Sequence, residues 1–206
     1  MRPVDAMDLY LVRHATSTRA STDIWGRLVD APLEQGFEAQ LSSTRSALET
    51  IPEMIVFSSP LARCLQTAQF VCPGRRIHIL DEFRAYQSGI FEEATEASIR
   101  ERHPEYLSLS YRERFLQPRF GEESIAEQAK RVATGLPTVL RQGGKEPVVV
   151  AHYSTINIIA HISMLNWDQS EYANGVYDLE EGGFIRITID PAAVEIGLER
   201  HLQANW

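Results

Sequence analysis

Cysteine is scarce: Cys64 and Cys72 are the only two in 206 residues. Two thiols in a chain of this size make no disulfide framework, and a reducing compartment is the simpler reading. Cations are also in the minority, with 20 Lys and Arg against 28 Asp and Glu and a net charge of -8. That balance argues against a nucleic-acid footprint. No apolar stretch is long enough to span a bilayer, and Met1-Arg2-Pro3-Val4-Asp5 carries none ahead of the first predicted strand. Neither a signal peptide nor a membrane contact is expected, which leaves the cytoplasm as the expected location. Repeats, low-complexity tracts and linkers are missing as well. The histidines are scattered without the close spacing of a metal site, so no metal and no cofactor are expected. What remains is ordinary: 44% hydrophobic and 23% charged residues, and the length of a single domain over 1–206.

The stretch Asp8-Leu9-Tyr10-Leu11-Val12-Arg13-His14 organises the rest. An apolar run that stops at an Arg-His pair reads as a buried strand delivering its last residues to the rim of a sheet. In open α/β sheets the ligand lies beyond the carboxyl ends of the strands. A loop punctuated by Gly26 and Pro32 follows, then a helical pattern with Phe37, Leu41 and Leu48 on one face that stops near Ile51-Pro52. Met54 to Phe57 reads as a second strand ending in Ser58-Ser59-Pro60, with Ser59 capping a helix over Leu61 to Val71 and Pro60 in its first turn. A third strand, Arg76 to Leu80, ends in Asp81-Glu82. Residues 83–120 are rich in Arg, Glu and aromatics and poor in β-branched residues, which predicts a helical cap over the rim. Glu122 to Arg141 reads as a long helix that Gly135 and Pro137 should kink or divide. Pro147 to His152 is a fourth strand, followed by a helix from about Ser154. Val176 to Glu180 and Phe184 to Asp190, around Gly182-Gly183, read as a hairpin.

Three of these four strands end in a reactive residue, His14, Glu82 or His152, and the other leads directly to Arg63. Phosphoryl transfer needs positioning and charge stabilisation above all. Arg13 and Arg63 have the planar fork that grips phosphoryl oxygens. A neutral His14 has the lone pair to form a phosphohistidine. His152, at a helix start, suits hydrogen bonding to the same oxygens. Glu82 suits protonation of the leaving alcohol and later activation of water. Cys64 falls inside a helical pattern and reads as packing. Most of Arg100, Arg102, Arg112, Arg114 and Arg119 alternate with glutamates and read as a solvated face, with one or two reaching the substrate.

Taken together, these motifs resemble the histidine phosphatase superfamily in its phosphoglycerate-mutase-like branch. Leu11-Val12-Arg13-His14 is similar to its nucleophile motif, and Gly26, Asp30, Pro32, Leu33 and Gly36 match the loop behind it. Ser58 to Arg63 with Thr67-Ala68, Leu80-Asp81-Glu82, Gly121 to Ser124, and Val149 to His152 match further elements in the family's order. The resemblance implies a three-layer α/β/α sandwich with a mostly parallel central sheet and a helical cap insertion, and catalysis without a metal. It implies His14, Glu82 and His152 as catalytic residues, with Arg13, Arg63, Ser17 and Tyr153 binding the substrate. Departures are visible: Ala15 stands for a glycine, Ala20 for an asparagine that contacts phosphate, and Tyr153 for a glycine. Three extra residues between Glu82 and Gly89 make Glu92 and Glu93 competitors for the acid.

The expected activity is hydrolysis of a small phosphomonoester through phosphohistidine. The rivals are a mutase-like phosphotransferase and a catalytically weak module that binds a phosphorylated metabolite. The expected partner is a small phosphorylated metabolite and, at most, a second copy of the chain.

Overall fold

Alternation along one strand builds both halves of the core. In β1 (Met7–Arg13) the side chains of Leu9 and Leu11 point to one face of the sheet and those of Tyr10 and Val12 to the other, all buried. A computed structural model describes residues 6–172 and 176–203; the N-terminal segment 1–5 lies outside the described residues. β1 sits between β4 (Val148–Ala151), to which it runs parallel with Leu11 opposite Val149, and β5 (Phe184–Ile189), which is antiparallel. β2 (Val56–Ser58) continues the sheet beyond β4, and β3 (Ile77–Ile79) forms the far edge, giving the order β3-β2-β4-β1-β5.

On the Tyr10 side, α1 (Phe37–Leu48) and α2 (Ala62–Val71) bury Leu41, Leu48, Cys64, Ala68 and Val71 against Val12, Val56 and Val150. On the Leu9 side, α6 (Ile125–Gln142), α7 (Tyr153–Ser163) and α9 (Pro191–Gln203) cover Leu11, Phe57 and Val149. Burial of each such aliphatic side chain is worth about 1.5–3 kcal/mol, so both faces need their helices. The result is the three-layer α/β/α arrangement with a mostly parallel sheet.

Between β3 and α6 the chain forms the cap: α3 (Glu96–Arg102), α4 (Pro104–Ser108) and α5 (Tyr111–Leu116), with Phe91, Ile99 and Tyr106 as its own small core. Short helix α8 (Gln169–Tyr172) follows α7. Among the described residues no helix is long and apolar enough to cross a membrane.

Three local expectations are corrected. First, of the kink or division expected at Gly135 and Pro137, division is excluded: α6 is one continuous helix with Pro137 inside it. Apolar residues at Ile125, Ala129, Val132, Leu136, Val139 and Leu140 hold it to the sheet and offset the missing hydrogen bond. Second, α2 starts at Ala62, and the Ala62 N–H donates to Asp30 Oδ1 at 2.6 Å, so the cap comes from the loop behind β1 and not from Ser59. Third, residues 176–180 form no strand, because their backbone groups bond side chains instead of a ladder. Tyr177 N–H donates to Asn157 Oδ1, while the Tyr177 and Leu179 carbonyls accept from Asn157 and Arg13. β5 pairs with β1 alone.

Candidate active site

Strand order decides which predicted residues meet. β2, β4 and β1 are adjacent and parallel, so their carboxyl ends bring Ser58-Ser59, His152 and Arg13-His14 to one rim. The first turn of α2 adds Arg63, which is 3% exposed. Its Nη1 and Nη2 donate to the carbonyls of Val29 and Arg27 at 2.8 and 2.7 Å. These bonds fix the guanidinium plane through the loop after β1. Thr67 ties the same helix to the loop after β1, accepting from Ala15 N–H at 3.2 Å and donating to the Arg63 carbonyl at 2.8 Å. That loop depends on Gly26, where a Cβ would lie 1.9 Å from the Glu92 carbonyl oxygen.

The two histidine rings sit edge to face with centroids 5.1 Å apart. Nδ1 of His14 lies 2.7 Å from the Ala15 carbonyl, which makes Nδ1 the protonated nitrogen and leaves a lone pair on Nε2. Burial, reinforced by the charges of Arg63, Arg13 and Arg19, lowers the His14 pKa to about 3. His152 is also held well below its usual value, by burial first and then by its proximity to His14 and Arg63. Nε2 of His152 lies 2.9 Å from Ser59 Oγ. The Cys64 sulfur packs 3.6 Å from the same nitrogen, and burial pushes this thiol up to about 12, so it is no nucleophile.

Arg13 is held by three groups. Its Nη1 donates to the Leu179 carbonyl at 2.7 Å, Nη2 lies 3.3 Å from Glu181 Oε1, and the guanidinium stacks over the Tyr153 ring at 5.3 Å. Glu181 is held in turn by the Thr16 hydroxyl at 2.7 Å. The Arg13 Nε is buried without a partner among the described residues.

A cavity of about 500 Å³ opens over this rim. Arg13, His14, Ser17, Arg63, His152 and Tyr153 all line it, as does Ala20, the position where an asparagine was expected. Glu82 does not line it. β3 lies three strands from β1, roughly 14 Å at about 4.8 Å per step, so its carboxyl end is remote from His14. Glu82 lies instead against α6: its Cβ is 2.8 Å from where a Cβ on Gly135 would be, and Arg131 donates to its carbonyl at 2.6 Å. Ala85 and Ser88, farther along, reach the cavity. Glu93 does not line it either, and the carboxylate of its neighbour Glu92 is bound to the backbone N–H groups of Leu28 and Ser88.

Several lining residues had not been singled out: Arg19, Arg27, Trp25 and Glu181. Arg19 and Arg27 were visible only as members of a polar loop, and Glu181 had no signal beyond its place beside Gly182-Gly183. Arg114 is the cap arginine that reaches the cavity, together with Tyr86, Tyr106 and Phe115. Phe91 packs in the cap core, and the Tyr111 side chain lies outside what is described. Among the described residues no group of three His, Cys, Asp or Glu side chains is placed to hold a metal ion.

The sequence model of the histidine phosphatase superfamily (branch 1) matches residues 9–196. Among solved structures, the chain superposes on the alpha-ribazole phosphatase from Shigella flexneri with a TM-score of 0.76 at 18% identity, covering 89% of this chain and 91% of that one. A mycobacterial glucosyl-3-phosphoglycerate phosphatase gives 0.74 at 19% identity, covering 89% and 90%. A phosphoserine phosphatase from Entamoeba histolytica, in complex with 3-phosphoglyceric acid, gives 0.67 at 21% identity, covering 87% and 89%. At these identities the likeness establishes the fold.

Proposed function

The chain belongs to the histidine phosphatase superfamily, and from that premise we propose that it is a phosphatase that hydrolyses a small phosphomonoester through a phosphohistidine on His14. The observation that carries this reading is the locked tautomer of His14. With Nδ1–H donated to the Ala15 carbonyl, Nε2 presents its lone pair beside Arg63, Arg13 and His152. A neutral nucleophile suits attack on a phosphoryl group whose charge the two arginines take up.

In the first step a bond forms between Nε2 and phosphorus as the bond to the leaving oxygen breaks, and the leaving group departs with its electron pair and takes a proton from solvent. Water then attacks phosphorus and gives a proton back to solvent, the nitrogen recovers its lone pair, and inorganic phosphate is released. Arg13 and Arg63 hold the non-bridging oxygens in both steps, and His152 faces the same group. No step is assigned to a metal ion; dialysis against a chelator should leave turnover unchanged. Glu82 is not given the proton, because it lies at α6 and not at the cavity. Two free, buried cysteines suit the reducing cytoplasm, where we place the protein.

Rapid quench with a radiolabelled phosphomonoester tests the reading. An adduct that survives base and is lost in acid should form on the native chain and not on His14→Ala. Undiminished adduct on His14→Ala would overturn the assignment.

A further inference from the structure

Five arginines line the cavity, Arg13, Arg19, Arg27, Arg63 and Arg114, and among the described residues the one carboxylate lining it is Glu181. This is an unusual concentration of cations in a chain of net charge -8. A single phosphoryl group occupies two of them, Arg13 and Arg63. Glu181 is bonded to Arg13 and Thr16, and its charge, with that of Glu92, only partly offsets the cations around Arg19.

Two of the three remaining arginines, Arg19 and Arg114, are held by carbonyls and rings and not by carboxylates. Arg19 donates through Nη1 to the carbonyls of Ile24 and Gly26 at 3.2 and 3.4 Å. Arg114 sits over the rings of Trp25 and Tyr106 at 5.2 and 4.7 Å and donates to the carbonyls of Tyr106 and Leu107. Arg27 is exposed at the mouth. Among the described residues none of the three makes a salt bridge. Repulsion within the site is felt at Arg19: burial and the charges of Arg27 and Arg63, opposed in part by Glu181 and Glu92, lower its pKa to about 10. An anionic ligand relieves that repulsion, whereas a neutral one leaves it in place.

We propose that the substrate carries a second anionic group, a carboxylate or a further phosphate, bound by Arg19, Arg27 and Arg114 while Arg13 and Arg63 hold the phosphoryl group that is removed. The identity of the first group rests on the phosphatase reading; the second anion rests on three cavity arginines that make no salt bridge among the described residues. The aromatic wall of Trp25, Tyr106 and Phe115 covers the body between the two groups.

Matched pairs test this with the full chain: glycerol 3-phosphate against 3-phosphoglycerate for a carboxylate, and fructose 6-phosphate against fructose 1,6-bisphosphate for a phosphate. Binding is measured by calorimetry on His14→Ala, which holds ligands without turning them over. The doubly anionic member of at least one pair should bind more than tenfold tighter, and whichever pair shows it names the anion. In Arg27→Gln and Arg114→Gln that ratio should fall by about tenfold, the loss of one ion pair. Arg27 is exposed, so its variant keeps the test valid if Arg114→Gln does not fold. Equal binding within both pairs overturns the proposal. Release of phosphate from p-nitrophenyl phosphate by the native chain tests the phosphatase reading separately. Failure there, with the binding preference intact, would remove the enzyme and keep the second anion site.

Discussion

The Ser59 hydroxyl lies 2.9 Å from Nε2 of His152, deep beneath the cavity and with Ser59 wholly buried. The serine at the end of β2 therefore does its work across the sheet, on the histidine at the end of β4, and not as a helix cap. It is a positioning residue that fixes the plane of the His152 ring.

Ser59→Ala should lower kcat by about tenfold, the value of one well-placed hydrogen bond of ~1–1.5 kcal/mol, with KM changed little. Ser59→Thr retains the hydroxyl and should recover most of the loss. A fall in KM and kcat together, unrescued by threonine, would mean that the serine only packs.

Much of this was legible in the residues. The run Leu9 to Val12 alternates between two cores, and its abrupt end in Arg13-His14 puts that pair at the rim. His152, Arg63, Ser17 and Tyr153 followed from the same logic of strand ends and first turns. Glu82 does not join them at the cavity, because a strand end is a place along the chain, while distance from His14 depends on strand order, and β3 is the far edge. The proposed hairpin failed for a related reason: periodicity showed Phe184–Ile189 as a strand without saying that its partner is β1. Arg19, Arg27 and Glu181 come from loops, where no periodic pattern marks which side chain turns inward.

The placement of Glu82 has a kinetic consequence. Glu82→Gln keeps the shape of the side chain and removes its acid. If Glu82 is merely packed against α6, the rates on an alkyl phosphate and on p-nitrophenyl phosphate should change by the same small factor, less than about threefold. A proton donor matters for a basic alkoxide and not for nitrophenolate, so a selective loss on the alkyl ester would restore Glu82 to catalysis.

Gly135 is the other side of that contact. A Cβ there would lie 2.8 Å from Glu82 Cβ and 3.1 Å from Phe83 Cε1, and Phe83 belongs to the main core. Alanine improves helix propensity by about 1 kcal/mol, but overpacking costs typically ~1–3 kcal/mol. Gly135→Ala should therefore lower the urea midpoint at unchanged m-value. A raised midpoint would show that Glu82 and Phe83 move aside without strain.

Acid should loosen the fold through the two site histidines. In the unfolded chain each titrates near its ordinary value of about 6.5. In the fold, burial holds His14 down to about 3 and His152 well below its usual value. Between those limits the unfolded state binds protons that the native pocket refuses, so stability falls as pH drops below about 6.5. The slope approaches ~1.4 kcal/mol per pH unit for each histidine involved. Urea unfolding at pH 7.5 and 5.0 should show this loss, and His14→Gln should flatten it by removing one of the two protons. The same depression keeps His14 neutral and competent, so kcat/KM should show no acid limb near pH 6.5 attributable to it. An unchanged pH dependence of stability in His14→Gln would mean that the ring titrates freely in the fold, and that the lone pair on Nε2 is not protected from protonation.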